Sequence, residues 1–252
     1  MRTAAFFDID GTLYREGLIT SIFKKFIKSD IIDQSVWYQE VRDKYNKWDK
    51  RVGNYDDYLV KMAEIYIEAV RGLHKSQVEY IAQKVVEQKG DKVYIYTRDQ
   101  ILWHKAQGHM VITVSGSPYE LVRAMSIKHG FDACRGTVYE LDENDRYTGR
   151  LLPLWDSRSK QTEIQKLADE YEIDLAASYA YGDTAGDFLM LRAVGHPVAM
   201  NPTRELLQQI TQDEAMKRKA KIVVERKDNI YQLTPEMLQP QKDGSDEQRK
   251  NL

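Results

Sequence analysis

Three segments of this chain share one pattern: an apolar run, a small or acidic polar residue, a glycine, and the start of a helix. Ala4-Ala5-Phe6-Phe7 leads into Asp8-Ile9-Asp10-Gly11-Thr12-Leu13. His109-Met110-Val111-Ile112-Thr113-Val114 leads into Ser115-Gly116-Ser117-Pro118, and Ala176-Ala177-Ser178-Tyr179-Ala180-Tyr181 into Gly182-Asp183-Thr184-Ala185-Gly186-Asp187. Apolar runs closed by glycine turns read as buried parallel strands ending in loops. Strands of this kind separated by helices predict a doubly wound, Rossmann-like α/β sheet, whose ligands bind at the carboxyl ends of the strands.

Between the first and second strands the period changes. Ile19, Ile22, Phe23, Phe26 and Ile27 follow the spacing of an apolar helix stripe. Trp37, Val41, Tyr45 and Trp48 repeat it, as do Tyr55, Tyr58, Leu59, Met62, Ile65, Tyr66 and Ala69. Ser76 and Glu79 make a capping-box pattern for a fourth helix that carries Val78, Ile81, Ala82 and Val85 inward and stops near Gly90. The expected division is a core of residues 1–14 and 91–239 with a helical bundle, 15–90, inserted after the first strand. Further on, a helix is expected from near Thr97 to Gly108, and another opened by Pro118 in its first turn and closed by Gly130. A hairpin follows (137–141 and 147–152), then a helix at 159–172, a strand at 177–181 and a short strand from Pro197 to Met200. Residues 240–252 are polar and charged without an apolar pattern, which predicts a disordered tail.

Composition narrows the function little. A net charge of −2 with both signs spread along 252 residues carries no nucleic-acid footprint. No apolar run has the length of a membrane span, and the first ten residues lack the form of a signal peptide. Cys134 is the only cysteine, so no intramolecular disulfide forms. A cytoplasmic protein is the expectation.

The chemistry sits at the strand ends. Strand alternation turns Asp8 and Asp10 the same way, and two carboxylates that close call for a cation or a shared proton. The hydroxyl of Ser115 with the Gly116 amide, Lys160 just inside a helix, and the pair Asp183 and Asp187 complete an inventory suited to phosphoryl transfer. In this order and spacing the residues resemble the four motifs of the haloacid dehalogenase superfamily, in its phosphoserine-phosphatase-like branch. The likeness extends to Arg146-Tyr147-Thr148-Gly149-Arg150-Leu151 and to the stretch from Val194 to Pro202.

The resemblance implies that Asp8 is a nucleophile forming an aspartyl-phosphate. It makes Asp10 the acid and then the base, a residue that dehalogenases of the superfamily lack. It implies one Mg²⁺ held by Asp8, the main-chain carbonyl of Asp10, and Asp183, with Asp187 acting through water or orienting the shell; a helix-start carboxylate is the structural alternative for Asp187. Ser115 and Gly116 would bind phosphate oxygens, and Lys160 would neutralise charge, with Lys166 as its rival. Thr12, counted with the substrate-binding residues, is expected to fix its loop through local hydrogen bonds. His109, His129 and His196 lack metal-ligand spacing. The substrate class is a small phosphomonoester. Phosphoserine itself is the narrower alternative, against which stand Gly186 where the branch carries Asn and a 59–62 segment without arginine. Glu16 lies near the cap-glutamate position without clearly matching it. The cap residues Arg15, Glu16, Lys24 and Lys25 are close enough in sequence to read the leaving group. A phosphoacceptor signalling domain is the alternative from another class; it has no use for a leaving-group acid such as Asp10.

Overall fold

The computed structural model describes residues 1–50, 52 and 55–238. The tail at 240–252 lies outside the described residues, as does the side chain of Tyr55. An eight-stranded sheet forms the centre, in the order β4-β3-β2-β1-β5-β6-β7-β8. Its strands are β1 (Ala4–Phe7), β2 (Met110–Pro118), β3 (Ala133–Leu141), β4 (Tyr147–Leu152), β5 (Tyr179–Gly182), β6 (His196–Met200), β7 (Lys221–Arg226) and β8 (Asn229–Leu233). The six inner strands, β3-β2-β1-β5-β6-β7, are parallel, and the two edges, β4 and β8, are antiparallel returns.

β1 is buried on both faces because alternate residues enter different clusters. Ala5 and Phe7 join one, Ala4 and Phe6 the other. Phe7 stacks on Tyr181 of β5 with ring centroids 4.2 Å apart. The order reverses at β1, whose neighbours β2 and β5 lead in opposite directions across the sheet. The crevice at such a switch point is where a doubly wound sheet presents its loops.

The helical insertion consists of α1 (Leu18–Lys28), α2 (Arg42–Asp49), α3 (Tyr55–Val70) and α4 (Lys75–Lys89), with a π-helical turn at Trp37–Val41. Its apolar stripes share one cluster with the core: Phe23, Phe26, Met62 and Tyr66 belong with Phe7 of the sheet and with Leu121 and Val122. Two seams tie it to the core. Beside the site, Arg15 N–H donates to Lys92 O and Tyr94 N–H to Leu13 O, both at 2.9 Å. At the far end, Gly72 N–H donates to Tyr147 O at 2.8 Å and Lys75 N–H to Asp145 O at 2.8 Å, stitching the α3–α4 turn to the β3–β4 hairpin.

The remaining helices are α5 (Ile95–Ala106), α6 (Tyr119–His129), α7 (Ser157–Tyr171), α8 (Phe188–Ala193), α9 (Arg204–Gln212) and α10 (Glu214–Lys219). Several boundaries correct the sequence reading. α4 begins one residue before Ser76, and its capping box is made by His74 and Gln77 instead of Ser76 and Glu79. An imidazole nitrogen serves as the acceptor there. Pro118 is the cap of α6, not a residue of its first turn. α5 begins at Ile95, earlier than Thr97, because the Glu225 carboxylate on β7 accepts the amides of Ile95 and Tyr96. The strand expected at 177–181 starts at Tyr179; Asp174 caps a 3₁₀ turn over Leu175–Ala177.

Candidate active site

The loop after β1 turns within four residues. Ile9 O accepts the amides of Leu13 and Tyr14, at 2.9 and 2.7 Å. Gly11 makes the turn possible at φ +82°, and a Cβ there would stand 2.1 Å from Asp183 Oδ2. The loop can therefore bring its backbone against the carboxylate only with glycine. A Cβ at Gly182, at the end of β5, would likewise meet the Asp187 side chain at 2.4 Å.

These approaches bring the four predicted charged groups together. Asp8, Lys160, Asp183 and Asp187 are all buried. Lys160 Nζ donates to Asp8 Oδ1 at 2.8 Å and to Asp187 Oδ1 at 2.6 Å. Asp187 Oδ2 accepts the amides of Asp183 and Thr184 and the Thr184 hydroxyl. Both oxygens of Asp187 are thus committed to Lys160 and to its own loop. Asp183 Oδ1 accepts the Thr12 hydroxyl at 2.9 Å. Oxygens of Asp8, Asp183 and Asp187 lie within 4.8 Å of one another. The rival lysine, Lys166, stays on the surface and bonds Glu163.

Asp10 stands apart from that trio. It is half-buried; its Oδ1 accepts the Leu18 amide at 2.9 Å and its Oδ2 the Ser117 hydroxyl at 2.5 Å. Ser115 is buried, and its hydroxyl accepts the Ser117 amide at 3.2 Å. Gly116 is held by its carbonyl, which accepts the Thr137 hydroxyl at 2.7 Å.

The electrostatics follow from burial. Asp8 is pushed up to about 7: desolvation raises it, Lys160 pulls it back, and Asp187 and Asp10 raise it again. Asp183 is raised well above the usual carboxylate range for the same first reason, with Asp187 and Asp8 adding to it. Desolvation lifts Asp10 to about 6 against the opposing bonds from Ser117 and Leu18. Lys160 is raised despite its desolvation, because Asp187 and Asp8 hold its proton. Three buried carboxylates against one ammonium leave two uncompensated negative charges. That deficit, with an oxygen-only donor set, fits a hard divalent cation.

Thr12 departs from its expectation. Its hydroxyl bonds Asp183, 171 residues away, and its carbonyl accepts the Thr97 hydroxyl, so its side chain ties the loop to the site instead of bonding within the loop. Ser117 is a residue the sequence reading did not single out, although it directly contacts Asp10. Its place two residues after Ser115 on a strand was the available signal. Among the histidines, His109 bonds His104, His129 bonds Gly90 O, and His196 stacks on Tyr179. Cys134 is half-buried and free.

A profile of the haloacid dehalogenase-like hydrolases matches residues 5–192. The "Inhibition of morphological differentiation protein" of Streptomyces azureus is 30% identical over 207 residues, covering 81% of this chain and 74% of that one. A probable phosphatase of Mycobacterium tuberculosis is 29% identical over 211 residues, 81% of this chain and 71% of its own. A substrate-bound phosphoserine phosphatase superposes with a TM-score of 0.58 at 20% identity, over 83% of this chain and 90% of that one. The chain belongs to the haloacid dehalogenase-like hydrolases, and its fold is similar to that of phosphoserine phosphatase. It is an enzyme of the phosphatase kind.

Proposed function

We propose that this protein hydrolyses a small organic phosphomonoester in a Mg²⁺-dependent reaction through an aspartyl-phosphate on Asp8. The observation that carries the reading is the division of labour among the buried acids. Asp8 lies against Lys160 in a cluster short of positive charge, whereas Asp10 is held separately by Ser117 and Leu18 with a carboxyl lifted to about 6.

Asp8, Asp183 and the Asp10 carbonyl would hold the ion. Asp187 orients Lys160 and the 183–184 amides, and contributes to the ion's surroundings. Bound Mg²⁺ supplies Lewis-acid screening between the carboxylates and the phosphoryl oxygens. In the first step the Asp8 carboxylate attacks phosphorus, the bond from phosphorus to the ester oxygen breaks, and protonated Asp10 gives that oxygen its proton. In the second, Asp10 takes a proton from water as the water displaces Asp8 from phosphorus, releasing inorganic phosphate. Lys160, with Ser115 and the Gly116 amide, balances the charge of the transferring group. Thr12 supports the site by fixing Asp183.

Residues 15–90 act as a cap over this crevice, and the core comprises 1–14 and 91–239. Among the described residues, no helix is long and apolar enough to cross a membrane. With the single cysteine, that supports a cytoplasmic site of action. The test is phosphate release from a panel of monoesters with and without Mg²⁺, alongside Asp8→Asn. Turnover that survives both exhaustive chelation and that substitution would end the proposal; single-turnover phosphorylation without release would favour a phosphoacceptor domain.

A further inference from the structure

The leaving group must pass the loop that follows Asp10. The Leu18 amide rests on the Asp10 carboxylate, and residues 15–17 connect that amide to the buried Tyr14. Arg15 and Glu16 therefore sit on the short loop that borders the Asp10 carboxylate. Arg15 is exposed, with its guanidinium carbon 5.8 Å from the centre of the Tyr94 ring. Burial raises the Tyr94 phenol, Asp183 adds to the rise and Arg15 opposes it, so both charges act on this side chain.

Glu16 is the acid that could have read a substrate ammonium from this loop, but it is already engaged. Lys92 Nζ donates to its Oε1 at 2.6 Å, and Lys89 Nζ lies 3.9 Å from its Oε2. Lys24 and Lys28, one turn apart on α1, also act on this group: Lys24 on both Glu16 and Lys89, Lys28 on Lys89. Lys92, Lys89 and Lys24 thus act on one carboxylate, with Lys28 acting on Lys89 and Arg15 adjacent in the chain, in a protein whose net charge is −2. The positive surplus is local to this rim. A fixed field of one sign beside a cleft selects ligands of the opposite sign.

Resting on the phosphatase reading, we propose that the substrate's leaving group carries its own negative charge, a carboxylate or a second phosphate. Arg15 binds that group while the lysines around Glu16 supply the surrounding field. A planar guanidinium held over an aromatic ring presents paired donors suited to either anion. An aminoalkyl or other cationic leaving group meets an unfavourable field, and a zwitterion such as phosphoserine finds no free carboxylate on Glu16 for its ammonium.

The experiment compares kcat/KM for size-matched monoesters with an anionic, neutral, zwitterionic or cationic leaving group: 3-phosphoglycerate, glycerol 3-phosphate, phosphoserine and phosphoethanolamine. The expected order is anionic first and cationic last, with the anionic preference shrinking as salt rises. Arg15→Gln should lower the ratio of anionic to neutral kcat/KM about tenfold, and Lys92→Gln should lower it less. Hydrolysis of all four esters without an anionic preference, or a ratio unmoved by Arg15→Gln, overturns this inference and leaves the phosphatase reading standing. Absence of hydrolysis of every ester and of p-nitrophenyl phosphate overturns both. Binding to phosphatidylglycerol vesicles that Arg15→Gln and Lys92→Gln abolish, with ester preference unchanged, overturns the inference in favour of a membrane surface.

Discussion

Ser117→Ala removes one hydroxyl and tests the role of Asp10 without touching it. The Ser117 hydroxyl donates to Asp10 Oδ2 at 2.5 Å, and that bond favours the ionised carboxylate. A hydrogen bond to a charged group contributes about 1.5–3 kcal/mol, and one pKa unit is about 1.4 kcal/mol. The full loss would lift Asp10 by about one to two units. Asp10 is half-buried and keeps the Leu18 amide on its other oxygen, so water and that amide recover part of the loss. The expected rise is about one unit. Its sign fixes the kinetic outcome. Protonated Asp10 serves the first step, so the alkaline limb of kcat/KM for an alkyl phosphate moves to higher pH. Ionised Asp10 serves the second, so the acid limb of kcat moves upward as well. Profiles from pH 5 to 9 for wild type, Ser117→Ala and Ser117→Thr measure both, with the threonine variant restoring the wild-type limbs. A uniform fall in rate at every pH, with the limbs in place, would refute the assignment of Asp10 and reduce Ser117 to loop packing.

Three further outcomes follow from the geometry. Asp183→Asn should raise the Tm of the metal-free protein, since among the described residues no lysine bonds this buried carboxylate, and should abolish the Mg²⁺-dependent rise in Tm; an equal Mg²⁺ response in the variant would remove Asp183 from the ion site. Gly11→Ala forces a Cβ 2.1 Å from Asp183 Oδ2 at a φ of +82°, and should cost about 1–3 kcal/mol in urea unfolding and most of the phosphate release, whereas a fully active, equally stable variant would show that the loop can relax. His104 is buried, bonded to Tyr181 and His109, and lowered to about 3 by desolvation. The unfolded chain therefore takes up a proton below about pH 6.5 that the folded chain refuses. Stability should fall by up to about 1.4 kcal/mol per pH unit from there toward pH 3, and His104→Gln should flatten that fall in urea titrations at pH 7 and pH 5.

The sheet core, the four inserted helices and the four charged site residues were legible along the chain because each rests on a local signal. Apolar runs ending in Asp8, Ser115 and Gly182 mark strand ends, and period 3.6 marks α1 to α4. The order of the motifs singled out Lys160 over Lys166, although both are lysines on one helix. Signals involving residues distant in sequence were not legible. Thr12 looked like a local loop residue because nothing nearby in sequence announces Asp183. The start of α5 was misplaced because its cap, Glu225, arrives 130 residues later on β7.

The C-terminal half-layer of α9, α10, β7 and β8 had no sequence reading at all. β8 is almost wholly exposed, so it carries no apolar alternation to read. Only the folded chain shows that Glu16 is held by Lys92 and Lys89 instead of facing a substrate, because residues from α4 and the linker after it meet the 15–17 loop only after the cap docks. Periodicity determines which residues form an element and which face turns inward. The partner of a buried charge depends on which loops converge at the switch point, which requires the sheet order and both cap seams.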